Sequence, residues 1–222
     1  LDGAGKRQRI SSPADWLVRR RHTLGNMQLV MGSLPKQSSR VALNPKVLER
    51  VDLGSLVRKK VTYQSDPNDR VTAYLFHPKK LTTGVKFPSV LCLHQTARKS
   101  GKREPAGLAG KATMHYGIEL AQRGYIVICP DYPSMGEHQY DFAKHPEYAS
   151  GTMKAIWDNI RAVDYLSSLP FVDGNRIGVL GHSLGGHNAM FTAAFERRLR
   201  VIVSSCGFTI FSKDDPPSWT AP

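Results

Sequence analysis

Apolar positions recur at near-helical spacing over residues 13–31, "PADWLVRRRHTLGNMQLVM", where Trp16, Leu17, Leu24, Met27 and Met31 predict one amphipathic helix with a point of interruption at Gly25. The breaker-rich "GSLPKQSSRVALNP" then reads as a connection. Two strand-like runs, "LVRKKVTYQS" and "RVTAYLFHP", flank the turn signal "DPND" and predict an antiparallel hairpin. Its second strand does not alternate cleanly, because Val71, Ala73 and Leu75 are interleaved with Thr72, Tyr74 and Phe76. The pattern therefore leaves the register open.

Further along, the pattern changes. "FPSVLCLH" and "GYIVICPDYP" are short continuous apolar runs, as expected of central parallel strands covered on both faces. "ATMHYGIELAQRG" supplies a helix between them, ended by Gly124, and "TMKAIWDNIRAVDYLSSLP" a second, stopped by Pro170, with Trp157 as a core residue. "NRIGVLGH", "LGGHNAMFTAAFERR" and "LRVIVSSCGF" continue as strand, helix, strand. This alternation predicts an α/β fold with right-handed crossovers and a mostly parallel sheet.

The chain of 222 residues is long enough to bury one sizeable core. No apolar run is long enough for a membrane-spanning helix. The formal charge of +13 is concentrated before residue 60, in stretches such as "GKRQR" and "RRRH". Such stretches attract polyanions. No recognition motif or aromatic platform accompanies them, so a solvated basic helix is the better reading than a nucleic-acid site. Cys92, Cys129 and Cys206 each lie in or beside an apolar run and read as small buried thiols. Their odd number and irregular spacing argue against disulfides and metal knuckles, and lean towards a reducing, cytoplasm-like compartment.

The chemical signal is "RIGVLGHSLGGHNAMFTAAF". Ser183 stands in Gly181-His182-Ser183-Leu184-Gly185, between a predicted strand and a predicted helix. A serine on so sharp a turn has strained backbone angles, so the residues two before and two after it must be small. The turn would present the hydroxyl at the carboxyl end of the sheet, with the Leu184 N–H able to donate to an oxyanion. The alternative is a glycine-rich turn whose serine only caps the helix. The glycine spacing does not match a dinucleotide fingerprint.

From about Val57 to Phe211 the chain resembles the α/β-hydrolase superfamily. "VLCLHQTARKSGKREPAGLAG", "HYGIELAQRGYIVICPDYPSMGEH" and "GHSLGGHNAMFTAAF" are similar to its dienelactone-hydrolase-like and acetyl-xylan-esterase-like branches. The resemblance implies a serine esterase acting on small-molecule or carbohydrate esters, without metal or organic cofactor. It implies a second oxyanion donor in the loop beginning His94-Gln95-Thr96, with Thr96 the first choice and Gln95 the second. Many relatives have Gly where Gln95 stands. Residues 1–50 would be a helical extension and linker, and residues 51–222 the hydrolase domain.

Other constellations read less specifically. "GLAGKAT" lacks a P-loop's first glycine and its Ser or Thr, because Pro105 and Ala112 occupy those places. The basic loop "ARKSGKREPAGLAG" reads as solvated, with an entrance for an anionic or sugar-bearing substrate as the alternative. Asp131 reads as a loop anchor rather than a substrate contact. His182 reads as packing support and His187 as a contact on the helix surface, and no histidine cluster has zinc spacing.

A nucleophilic serine requires a histidine base and an orienting carboxylate, which in this fold follow the serine in chain order. His187 is the sole histidine after Ser183 and lies one turn along the same helix. Asp214 and Asp215 are candidate acids after what resembles the fold's sixth strand, where two further strands normally follow. The expectation is a fold whose last strands, acid and histidine lie beyond residue 222. The alternatives are another serine hydrolase, either a peptidase or a thioesterase, and a non-catalytic binding protein on the same scaffold.

Overall fold

The structure is a computed structural model and describes residues 5–208. Helix α1 (Pro13–Met31) runs through Gly25 without a break. Its start is set by a capping box: the Ser12 hydroxyl accepts from the Asp15 amide while the Asp15 carboxylate accepts from the Ser12 amide. The expected apolar stripe divides. Leu24, Met27 and Met31 are half-buried, but Trp16 and Leu17 are exposed, and α1 buries no residue completely.

Three strands follow as an antiparallel meander, β1 (Lys46–Asp52), β2 (Leu56–Asp66) and β3 (Asp69–Pro78). The last two are the expected hairpin. β1 lies where the sequence pattern gave only a linker, and it crosses residue 50. It escaped notice because Val47 and Leu48 are adjacent and both exposed, so "KVLERVD" has no alternating inward face. β3 lacks alternation for the opposite reason. Both its faces are covered, with Val71, Ala73 and Leu75 in one apolar cluster and Tyr74 and Phe76 in another.

From β4 (Phe87–Leu93) strands alternate with helices: α2 (Tyr116–Gln122), β5 (Ile126–Pro130), α3 (Gly151–Ser168), β6 (Val172–His182), α4 (Leu184–Phe195) and β7 (Leu199–Ser205). The spatial order is β1-β2-β3-β5-β4-β6-β7, with β5, β4, β6 and β7 parallel. Alternate side chains of β4 and β5 serve opposite layers. Leu91, Leu93, Ile126 and Ile128 pack with residues of α3 and α4, whereas Val90, Cys92, Val127 and Cys129 pack with α2. Trp157 is buried on the outer side of α3.

Among the described residues β7 exposes Val201, Ile202 and Val203. One expectation about the surface needs correction. Cys92 and Cys129 are buried thiols, but Cys206 is exposed, because the chain has already left the sheet at that point with φ 53°.

Candidate active site

The strand order places the carboxyl ends of β4 and β6 side by side, with Leu93 paired to Gly181. Such a crevice beyond the strand ends is where ligands bind in open α/β sheets. Ser183 sits there, between β6 and α4, at φ 52° and ψ −119°. That conformation is unfavourable for a residue with a Cβ, by about 1–3 kcal/mol. It is held by the Ser183 amide, which donates to the Ser205 carbonyl (2.8 Å), and by the His187 amide, which donates to the Ser183 carbonyl (2.9 Å). Although Ser183 occupies the N-cap position, its hydroxyl makes no capping hydrogen bond.

The flanking glycines have a steric cause. A Cβ on Gly181 would collide with the backbone of Gly185, and one on Gly185 with the carbonyls of Leu93 and His94. The helix therefore touches the end of β4, which brings the loop starting at His94 against the turn. Leu184 opens α4, so its N–H is among the first-turn amides without an intrahelical acceptor.

The facing loop is built differently. His94 is fully buried and packs against Tyr132, with centroids 4.4 Å apart and the ring planes tilted by 46°. The Tyr132 amide can only donate, so Nε2 of His94 accepts from it (3.4 Å) and Nδ1–H donates to the Gln95 carbonyl (2.6 Å). Desolvation holds this imidazole neutral, with a pKa down at about 4. The Gln95 side chain donates to Glu104 (3.3 Å), and Thr96 is exposed.

Asp131, following β5, is the anchor the sequence suggested. Its carboxylate accepts from the Lys102 amide (2.8 Å), the Lys102 ammonium (2.5 Å), the Thr72 hydroxyl (2.8 Å) and the Glu137 amide (3.0 Å). Gly136, at φ 59°, packs its bare Cα side against that carboxylate and donates its N–H to Arg98 (2.9 Å). Lys102 is itself fully buried, which corrects the reading of its loop as wholly solvated. Arg98, Lys99 and Arg103 remain exposed.

A second buried charge cluster went unnoticed in the sequence. The Lys154 ammonium on α3 donates to Asp158 (2.5 Å), Asp69 (2.6 Å), Asp66 (3.0 Å) and Ser65 (3.1 Å). His138 joins through Nε2 to Asp69 (2.9 Å). Asp69, His138 and Asp158 have ligand atoms close enough together to suit a metal ion. The tethered ammonium already donates to both of those carboxylates, so the cluster reads as a brace tying the β2–β3 turn and the 131–150 segment to α3. The sequence did carry a signal, Lys154 four residues before Asp158, but its partners at 66, 69 and 138 are remote in the chain.

His182 contacts the Ser205 hydroxyl through Nδ1 (3.1 Å), and the His187 ring packs tilted against Phe191, 4.1 Å between centroids. Burial lowers the His187 pKa to about 4. Among the described residues no imidazole is hydrogen-bonded to the Ser183 hydroxyl. Asp214 and Asp215 lie outside the described residues.

A mixed sheet flanked by helices, antiparallel from β1 to β3 and at the β3–β5 pairing and parallel over β5, β4, β6 and β7, with a strained serine between strand and helix at the sheet's carboxyl edge, defines the α/β-hydrolase fold. Residues 113–216 match the family described as the prolyl oligopeptidase family. The chain is 28% identical over 161 residues to the quorum-quenching protein AidA of Acinetobacter baumannii, a match covering 71% of this chain and 47% of that protein. The chain thus spans about half of AidA's length. Among solved structures, a glucuronoyl esterase from Solibacter usitatus superposes with TM-score 0.64 at 18% identity, over 89% of this chain and 60% of the other. An acetyl xylan esterase from Paenibacillus sp. R4 gives 0.58 at 18% identity, over 87% and 60%. At such identities the likeness shows a shared fold.

Proposed function

We propose that this chain carries the nucleophile of a serine hydrolase that cleaves carboxylic esters through an acyl-enzyme on Ser183. The observation that carries the reading is the backbone of Ser183, strained at φ 52° while its hydroxyl does no capping. A serine kept only to cap a helix has no use for that strain, whereas a nucleophile on an elbow does. The hydroxyl oxygen attacks the ester carbonyl carbon and passes its proton to an imidazole contributed from outside the described residues, oriented by a carboxylate. The Leu184 N–H and that of Thr96 or Gln95 hold the oxyanion. Collapse expels the alcohol, which takes the proton from the imidazolium. Water then releases the acid by the same route, and no step calls for a metal or an organic cofactor.

The esterase reading, with carbohydrate esters as one substrate class, is supported by the acetyl xylan and glucuronoyl esterases among the structural relatives. The prolyl oligopeptidase match favours a second reading, a peptidase. Parallel assays on acetyl esters and on prolyl anilides separate the two. The primary test is labelling of the full-length protein with a fluorophosphonate, followed by peptide mapping. Adduct at Ser183, abolished in Ser183→Ala, is expected; equal labelling of both proteins defeats the reading.

A further inference from the structure

A groove of about 470 Å³ runs between α1 and α4. Met27, Val30 and Met31 form its α1 side, His187 and Phe191 its α4 side, and Arg19 also lines it. Positions 183, 187 and 191 follow at four-residue intervals, so both α4 residues continue the helix face that begins at Ser183. The groove starts one helical turn, about 5.4 Å, from the serine and reaches about 12 Å along the helix at Phe191.

The direction of α1 fixes which chemistry lies where. Arg20, beside Arg19, donates to the Ala194 carbonyl (2.5 Å), past the far end of the groove. The Ser150 hydroxyl donates to the Met31 carbonyl (2.6 Å) and ties down the other end of α1. Arg19 therefore stands remote from Ser183, and the lining between them is mostly apolar, with Met27, Val30 and Phe191 alongside Thr23 and Asn26. The His187 ring makes no hydrogen bond among the described residues and meets the groove as a neutral, half-buried imidazole. Unbranched methionines adapt their shape to an apolar guest.

From this arrangement we infer that the α1–α4 groove binds the long arm of the ester that Ser183 cleaves, an apolar chain of about eight carbons ending in an anionic group at Arg19. This rests on the proposed hydrolase reading and gives the basic N-terminal helix a role in substrate choice. Either the acyl or the alcohol side of the ester would supply such an arm.

The test uses the full-length protein with methyl-labelled methionines, titrated with octanoate and followed by NMR. Octanoate is expected to shift the Met27 and Met31 methyls and leave Met153, in the core, unmoved, while acetate shifts none. Val30→Trp, at an exposed position that tolerates the larger ring, should weaken octanoate about tenfold by filling the groove. Arg19→Glu should weaken octanoate and leave 1-octanol unchanged. No methyl shift, equal shifts with acetate, or indifference to Val30→Trp would each overturn the inference. Octanoate binding without phosphonate labelling of Ser183 would retain the groove and reject the catalytic reading. Labelling without octanoate binding would do the reverse. Octyl ester and octanoyl ester substrates then assign the arm to the alcohol or the acyl side.

Discussion

The elbow at Ser183 and the loop facing it meet where Gly185 touches the carbonyls of Leu93 and His94, yet they are held by opposite means. The elbow is fixed by backbone against backbone, with no room for a side chain at Gly181 or Gly185. The loop is fixed by side chains, above all the buried Lys102–Asp131 pair and the buried imidazole of His94. Contact between main chains leaves no substitute for glycine. A buried ion pair, in contrast, is exchangeable for an apolar pair of similar volume. The two halves of one crevice should therefore differ in what they tolerate.

The largest effect is expected at the elbow. Gly185→Val drives a branched side chain into the Leu93 carbonyl and should cost about 4 kcal/mol or more, read as a fall in urea midpoint or loss of soluble protein. Asp131→Leu leaves the buried Lys102 ammonium with only the Thr72 hydroxyl (3.2 Å) and the exposed carboxylate of Glu137 (3.4 Å), and should cost about 3 kcal/mol. Adding Lys102→Met should recover the part of that loss due to the stranded ammonium, while the Lys102 and Glu137 amides still lack their acceptor. Failure of the double variant to recover would erase the distinction between the two regions.

The facing loop should also respond to pH. His94 has a folded pKa of about 4, below its ordinary 6.5, so the unfolded chain takes up the proton first as pH falls. The stability contributed by the neutral imidazole is present above about pH 6.5 and is lost progressively towards pH 4, on the order of 3 kcal/mol. Urea titrations at pH 7.5 and 4.5 should show this slope, and His94→Gln should flatten it. His187→Gln should flatten it as well, because burial lowers that ring to about the same value.

The smallest effect has the sharpest sign. If Ser183 were a capping residue, Ser183→Gly would leave stability nearly unchanged or slightly lower. Because its hydroxyl caps nothing and its φ is positive, Ser183→Gly should instead raise stability by about 1 kcal/mol while abolishing phosphonate labelling. A lowered denaturation midpoint would contradict the strain argument.

The same contrast explains what was legible in the sequence. Gly181 of "GHSLGG" is constrained by Gly185 four residues on, whereas Gly185 and Gly186 meet backbone remote in the chain; the motif is nevertheless local in its spacing, and the strand and helix around it have clear apolar patterns. The order of hairpin, strands and helices was accessible for that reason. Asp131 was readable as an anchor from its place after an apolar strand, but not Lys102 as its partner, because a lysine in "SGKRE" has the composition of a solvated loop. Lys154 is concealed in the same way, since its acidic partners come from a turn nearly 90 residues earlier in the chain. β1 and the exposed half of α1 misled for a simpler reason: their apolar residues do not face the core, so patterning had nothing to report.

The strand order also sets a sequence of assembly. β1, β2 and β3 pair with their immediate neighbours in the chain and close only short loops. β4, in contrast, has no partner among the strands that precede it, and must wait for β5 to enter beside β3 and for β6 to arrive on its other side. The turn at Ser183 cannot be forced into its positive φ until β6 has docked. Its unfavourable backbone is thus imposed by a nearly finished sheet and does not slow the early steps of folding.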